Sequence, residues 1–360
     1  MEREAGISRG FTKKTDEICI GEADREFWKK MKRAGALFDK IIEPENLRLA
    51  FWKASKGKRH RDDQRAFAEN LDCELGRMRK ELIDGSFSVG NYVRFKVYDP
   101  KEREISAASF SERVFHHALM NVCEPFFEKW LVFDTYACRK GKGQFRAIRR
   151  AQSFSKHYDF VLKADIKKFF DSVSHNVLKK ILRHKFKDIQ LLYWFDKIID
   201  TYHTTIGYGL PIGNLTSQFF ANIYLDPLDR YIKETLGMKG YVRYMDDFLV
   251  WHNSLQGLKE VKEAIRLFVE HELDLRLKDN TCLVRVSSGV SFLGMKIYSY
   301  TVRLNKQSVK RFVSKFKHYE YLLANNFIDE REFQERVTAL TAFVAQADSL
   351  RWRQLFFNNI

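Results

Sequence analysis

A chain of 360 residues, 45% hydrophobic and 14% aromatic, can bury the cores of two or three ordinary subdomains, which excludes a disordered tail. Its 63 Lys and Arg against 47 Asp and Glu leave a formal charge of +16, which argues for a polyanionic partner, most often nucleic acid, over a solubility charge. The five cysteines (Cys19, Cys73, Cys123, Cys138 and Cys282) have neither metal-ligand nor disulfide spacing. The charged N-terminus reads as no signal peptide, and no apolar run nears the roughly 20 residues that span a bilayer. A cytoplasmic protein with reduced thiols and no membrane partner is expected.

In chain order, residues 1–44 read as an N-terminal extension containing a helix over "EFWKKMKRAGALFDKII". A second helix fits "PENLRLAFWKASKG", with Pro44 near its start and Gly57 near its end. The basic cluster "KGKRHRDDQRAF" opens a helix to about Arg79. "GNYVRFKVYDP" alternates and ends in Asp-Pro, a strand and a turn. "FSERVFHHALMNVCEPFFEKWL" has helical periodicity; its His116 and His117 lack partners at metal spacing and read as packing or RNA contacts.

"DFVLKADIKKFFDSVSH" opens as a buried strand, and two helices follow to about Tyr202. "GYGLPIGNLTSQFFANIYLDPLDRYIKETLG" starts as a Gly/Pro turn and continues as a helix. "LQGLKEVKEAIRLFVEHEL" is amphipathic, "TCLVRV" and "VSFLGMKIYSY" are strands, and the tail after about Thr301 is basic and helical. The order points to an α+β core with a separate C-terminal helical element.

Two segments carry the chemistry. "YVRYMDDFLVW" holds Asp246 and Asp247 inside an apolar run, where ionised aspartates are costly unless compensated. A tight hairpin would project both from its tip, and a neighbouring strand ending at Asp165 would bring a third carboxylate beside them. Such carboxylates repel, so at least one pKa should rise. Mg²⁺ resolves the conflict, because it takes hard oxygen ligands from one or two carboxylates and substrate phosphates. Two such ions about 4 Å apart clamp an in-line phosphoryl displacement. Mn²⁺ could take their place. The doublet Asp62-Asp63, in a polar helix, reads instead as a solvated face. Between the carboxylate segments, "GLPIGNLTSQFFAN" leads Gly209, Pro211 and Gly213 into a helix, an element suited to lie against a nucleotide. The alternative is an ordinary loop with Asn214 or Thr216 as the helix cap.

With these segments in order, the chain resembles a reverse transcriptase from about Glu45 to Lys310. Asp165 matches the first catalytic aspartate, "LPIGNLTSQ" the nucleotide and template segment, and "YMDD" the signature hairpin. "ELDLRLKDNT" resembles the next motif, making Lys278 a candidate proton donor to pyrophosphate, although Asn280 stands where that motif usually has lysine before Thr281. Phe292, Leu293 and Gly294 resemble the primer-gripping hairpin. The resemblance implies a right-hand polymerase with an antiparallel palm sheet. Its parts would be fingers at 45–155 with 172–208, palm at 156–171 and 209–300, and a basic helical thumb at 301–360. It implies two Mg²⁺ held by Asp165, Asp246, Asp247 and the backbone of Ile166. It implies a nucleotide site of Lys96, Arg103, Phe170, Leu210, Ile212, Gly213, Gln218 and Lys278. Phe170 would be the steric gate against ribose, and Arg103 or Lys96 would hold the triphosphate, unless either is a solvated surface charge. In "CRKGKGQFRAIRR", Arg139, Lys140, Lys142 and Arg146 would contact template RNA or form a solvated basic helix.

Among reverse transcriptases, the chain is most similar to those of diversity-generating retroelements, through "KASKGKRHR", "VYDPKEREISAASFSERVFHHAL", "TYACRKGKG" and above all "IGNLTSQ". Group II intron enzymes usually carry Gln-Gly where this chain has Ile212-Gly213. No maturase, endonuclease or RNase H domain is expected within 360 residues. The resemblance implies a bacterial, archaeal or phage enzyme that uses dNTPs to copy a template-repeat RNA through an RNA/cDNA duplex, misincorporating opposite adenines. It also implies a small basic oligomeric accessory variability protein as partner. Ile212 cannot make the amide bond to a nucleotide 3′-hydroxyl that a Gln makes in many retroviral-type enzymes, so with Leu210 it is expected to lower fidelity. The alternative is that it merely packs. The rival functions are a retron-like or defence-type bacterial reverse transcriptase and a non-catalytic RNA-binding scaffold.

Overall fold

Near-continuous apolar runs in residues 160–165 and 241–252 build the centre of a four-stranded sheet buried on both faces, and its register sets the site. A computed structural model describes residues 33–98 and 102–358. Cys19, most of the expected N-terminal extension with the start of its helix, and the turn expected at Asp99-Pro100 lie outside them. The sheet order is β4 (Tyr241–Tyr244), β5 (Asp247–His252), β3 (Phe160–Asp165), β6 (Cys282–Arg285), with every neighbouring pair antiparallel. Val161, Val242, Leu249 and Trp251 are buried on one face. They pack against Ala147, Ile148 and Ala151 of helix α6 (Gln144–Ser155). The other face carries Leu162, Ala164, Phe248 and Val250, all buried. Helix α12 (Leu255–Glu272) packs across β3, β5 and β6 and buries Leu258, Val261, Ile265 and Val269. Thus α6, which falls in the segment expected to form fingers, is part of the palm sheet's packing.

Before the sheet come α1 (Phe38–Ile41), α2 (Pro44–Ser55), α3 (Asp62–Glu69) and α4 (Leu71–Asp84). The single helix expected through Arg79 is therefore two, because Asn70 leaves helical geometry at φ −117°, ψ 35°. A hairpin of β1 (Tyr92–Tyr98) and β2 (Glu102–Ala108) follows. The sequence reading missed β2, whose charged first half shows no apolar alternation. Helix α5 (Phe110–Trp130) is capped by Ser109, whose side chain accepts from the Glu112 amide. Phe87, Phe115 and Trp194 interlock edge to face, as do Trp130, Phe186 and Phe195. These rings lock α5 to α8 (His175–Lys185) and α9 (Ile189–Ile199), which follow the short α7 (Phe169–Ser172). Helices α10 (Leu215–Tyr224) and α11 (Asp226–Arg230) precede β4.

The stretch "VSFLGMKIYSY", expected as strand, is a tight hairpin of β7 (Val290–Phe292) and β8 (Met295–Ile297). A further strand, β9 (Val302–Leu304), occupies the start of the tail expected to be helical. Helices α13 (Lys306–Ala324), α14 (Glu330–Val344) and α15 (Leu350–Asn358) then gather Phe312, Phe316, Val344, Trp352 and Phe356 into a separate small core. Among the described residues no helix is long and apolar enough to cross a membrane.

Candidate active site

Strand register brings the acidic residues together. Asp165 ends β3 and Asp247 begins β5, and the two are directly paired. Paired residues of neighbouring strands project from the same face, so these carboxylates meet on the α6 side of the sheet. Tyr244 pairs with Asp247, which leaves Met245 and Asp246 as a two-residue turn. Met245 has φ +57°, a left-handed conformation that strains a non-glycine residue by about 1–3 kcal/mol. The Ile166 amide donates to the Asp246 carbonyl at 3.3 Å, tying the turn to the chain just after Asp165.

The electrostatics follow from this crowding. Burial, and then the charge of Asp165, push Asp246 up to about 6. Burial chiefly pushes Asp247 up to about 7; Lys163 opposes the rise, while Asp165 and Asp246 add to it. Lys278 faces the cluster, with Nζ 2.7 Å from Asp165 Oδ2 and its amide donating to the Asp165 carbonyl at 2.8 Å. Asp165 Oδ1 and Asp247 Oδ1 are buried without a hydrogen-bond partner. Orphaned carboxylate oxygens of this kind suit a hard divalent cation. Among the described residues no three acidic, His or Cys side chains cage a metal by themselves.

Around this centre the expected residues separate. Phe170 is half-buried, its ring 5.8 Å from that of Phe169, and its carbonyl accepts from the Leu210 amide at 2.7 Å. This contact sets the Leu210–Gly213 segment beside the strand that bears Asp165. Leu210 itself is buried, so its side chain packs in the core. Ile212 is half-buried, and its carbonyl accepts from the Ser106 amide at 2.9 Å. Gly213 has φ +118°, and a Cβ there would lie 2.7 Å from Ile105 Cγ2, so only glycine lets the β1–β2 hairpin sit this close. Asn214, an expected cap, makes no capping bond for α10; its Oδ1 instead accepts from the Ala108 amide at 3.2 Å.

The hairpin register divides the two candidate phosphate ligands. Phe95 pairs with Ile105 and Val97 with Arg103, so Arg103 shares the face turned toward Gly213. Lys96 lies on the opposite face, where its Nζ is 2.6 Å from Glu102. Lys96 thus has a carboxylate partner, while Arg103 keeps the side of the hairpin that meets Gly213.

The basic stretch also divides. Arg139 is not a free RNA contact. Its guanidinium bonds Glu128 Oε2 at 3.0 Å and the carbonyls of Val132, Thr135 and Glu128, leaving its side chain 7% exposed. Lys142 turns back onto the Phe133 ring, 3.4 Å from its centroid. Lys140 and Arg146 remain exposed. Gln218, expected at the nucleotide, instead lines a cavity with Lys53, His117, Lys140 and Leu215. His116 is buried 3.5 Å from Glu112, a packing role, whereas His117 faces that cavity.

The primer-grip candidates form the β7–β8 turn. Phe292 is buried, and Leu293 and Gly294 have φ +49° and +81°. The Leu293 carbonyl accepts from Gln144 Nε2, and the Gly294 carbonyl from Ser308 Oγ. Lys163, one alternation before Asp165, reaches this hairpin through the Ser291 carbonyl at 2.7 Å. Lys163 and Arg243 were missed as contributors to the site. The detectable signal was a cation inside an otherwise apolar strand, once in "FVLKAD" and once in "YVRY".

Several known proteins are similar to this chain. Protein YkfC of Escherichia coli is 25% identical over 66% of this chain and 75% of its own length. The group II intron-encoded protein LtrA of Lactococcus lactis is 22% identical over 66% of the chain, and the chain spans about half (51%) of LtrA. Apo telomerase from Candida tropicalis, truncated from its C-terminal domain, aligns with a TM-score of 0.49 at 13% identity over 59% of this chain and 55% of that one. The profile of the family described as reverse transcriptase (RNA-dependent DNA polymerase) matches residues 98–297, more than half of the sequence. The chain therefore belongs to the reverse transcriptase family, the RNA-directed DNA polymerases.

Proposed function

We propose that this reverse transcriptase copies the template-repeat RNA of a diversity-generating retroelement into cDNA, with errors concentrated opposite template adenines. The observation that carries the catalytic half is the pairing of Asp165 with Asp247 beside the Asp246 turn, with an orphaned oxygen on each of the paired carboxylates. Asp165, Asp246, Asp247 and the Ile166 carbonyl would hold two Mg²⁺. When bound, these ions acidify the primer 3′-hydroxyl and neutralise the leaving pyrophosphate.

The other roles fall to the chain's own groups. Lys278, whose Nζ lies 2.7 Å from Asp165 Oδ2, would give a proton to the leaving pyrophosphate. The Phe170 ring blocks a ribose 2′-hydroxyl, and Arg103 grips the triphosphate with its two-pronged guanidinium. Ile212 offers an apolar side chain where an amide would orient the nucleotide, which weakens the penalty for a mispair.

A second reading, an intron-type reverse transcriptase, is favoured by the similarity to LtrA. One experiment separates them. The purified protein extends a DNA primer on a defined RNA template, with Asp246→Asn as control, and the cDNA is sequenced. Substitutions opposite adenine well above those opposite the other three bases support the retroelement reading. An even, low error rate favours the intron-type reading. Undiminished incorporation by Asp246→Asn would remove the site assignment altogether.

A further inference from the structure

Arg243 is the third residue of "YVRY", inside the strand that leads to the aspartate turn, and it is fully buried. It pairs with Phe248, so its side chain leaves the sheet on the face opposite Asp165 and Asp247. It cannot touch a substrate bound at those carboxylates. Its guanidinium is nevertheless fully engaged. Nε and one terminal nitrogen grip the two oxygens of buried Asp229 at 2.6 and 2.5 Å. The same terminal nitrogen donates to the Asn222 carbonyl at 3.1 Å. The other terminal nitrogen donates to Asn222 Oδ1 at 3.2 Å and to the Met245 carbonyl at 3.0 Å. Asp229 is itself held by Tyr241 Oη at 2.5 Å and Thr135 Oγ1 at 3.1 Å. Burial opposes the Arg243 charge, and Asp229 more than restores it.

We propose that Arg243 is a positioning residue for polymerisation. It clamps the Met245 peptide from behind the sheet and so aims Asp246 and Asp247. The inference rests on the assignment of those aspartates as the reacting site. Two independent observations converge on it. Met245 is held at φ +57°, a conformation that persists only where its surroundings fix it. Its carbonyl is the one acceptor of Arg243 that belongs to the turn; the others lie on α10 and α11. The guanidinium thus bridges the aspartate turn to two helices of the core, at the spot where a small tilt would move both carboxylates.

The test compares wild type, Arg243→Lys, Asn222→Ala and Asp246→Asn as full chains. Readouts are folded fraction by denaturation, kcat and KM for a dNTP on a primed RNA, and Mn²⁺ occupancy by electron paramagnetic resonance without nucleotide. Arg243→Lys keeps the charge beside Asp229 but cannot span all five acceptors. It should bind primed RNA as wild type does and lose about ten- to a hundredfold in kcat, with KM little changed. Its half-occupancy for Mn²⁺ should rise severalfold. Asn222→Ala spares the ion pair and should lose about three- to tenfold in kcat. It decides the matter if Arg243→Lys fails to fold. Wild-type kcat and Mn²⁺ occupancy in the folded variants would overturn the inference while leaving the site assignment intact, provided Asp246→Asn is inactive. If Asp246→Asn is active, the assignment falls and this inference with it.

Discussion

Asp165 and Asp247 stand opposite each other across β3 and β5, in direct register, at the strand ends that meet the Met245 turn. Like charges placed so are destabilising, and burial adds to the cost. Under the proposed two-metal function, the arrangement trades stability for activity.

Asp247→Asn should therefore cut nucleotide incorporation by at least about a thousandfold, the scale of losing a central electrostatic group. The same variant should unfold at equal or higher denaturant concentration, gaining on the order of 1 kcal/mol as the repulsion is relieved. Primer extension and urea denaturation on one preparation measure both. A variant that is less stable and still active would contradict the assignment.

A second buried carboxyl gives a pH prediction away from the site. Burial pushes Glu112 up to about 7, against the opposing bonds from the Gly90 and Asn91 amides. A carboxyl with a folded pKa above its unfolded value near 4.5 binds its proton more tightly in the folded state. Its contribution to stability is thus full below about pH 4.5 and lost as pH rises through about 7. Wild type should lose stability across this window relative to Glu112→Gln, which carries no titrating proton. Denaturation midpoints of the two proteins at several pH values should converge at the acid end and diverge toward pH 8. A constant difference would mean that Glu112 does not titrate there.

Phe170 sits half-buried five residues after Asp165, with its backbone bonded to the Leu210 segment. Phe170→Ala should admit ribonucleotides, lowering the dNTP-over-rNTP ratio of kcat/KM by about 10- to 200-fold, the range for a steric pocket. Single-nucleotide extension with matched dNTP and rNTP reads it directly. Unchanged sugar selection would mean that the ring merely packs against Phe169.

Ile212→Gln restores an amide where the chain has an aliphatic side chain. The Ile212 backbone is fixed by Ser106, so the change alters the side chain without displacing the loop. Misincorporation opposite template adenine should fall severalfold, measured by sequencing cDNA made from one RNA. An unchanged error spectrum would remove Ile212 from the fidelity argument.

Much of this protein was legible locally. Continuous apolar runs marked β3, β4 and β5, strands buried on both faces, and helical periodicity marked α5 and α12, because each pattern reports what a segment must bury. Carboxylates inside apolar strands announced the site for the same reason, since their cost demands compensation. Fates that depend on distant partners were not legible. Arg139 and Lys140 are neighbours in one basic run, yet Arg139 is consumed by Glu128 and three carbonyls while Lys140 stays exposed. Lys96 and Arg103 look equivalent until strand register puts them on opposite faces of a hairpin.

The sequence by itself marked the candidate catalytic carboxylates and the apolar strands that carry them, because side-chain chemistry and hydrophobic runs are local properties, while β2 and β9 escaped it. Only the tertiary structure decided that Asp165 registers with Asp247, that Lys278 lands on Asp165, and that Arg243 ties the strand before the aspartate turn to Asn222 and Asp229. Those are relations between segments up to 113 residues apart. They are set by how strands pair and helices pack, which no single stretch of chain encodes.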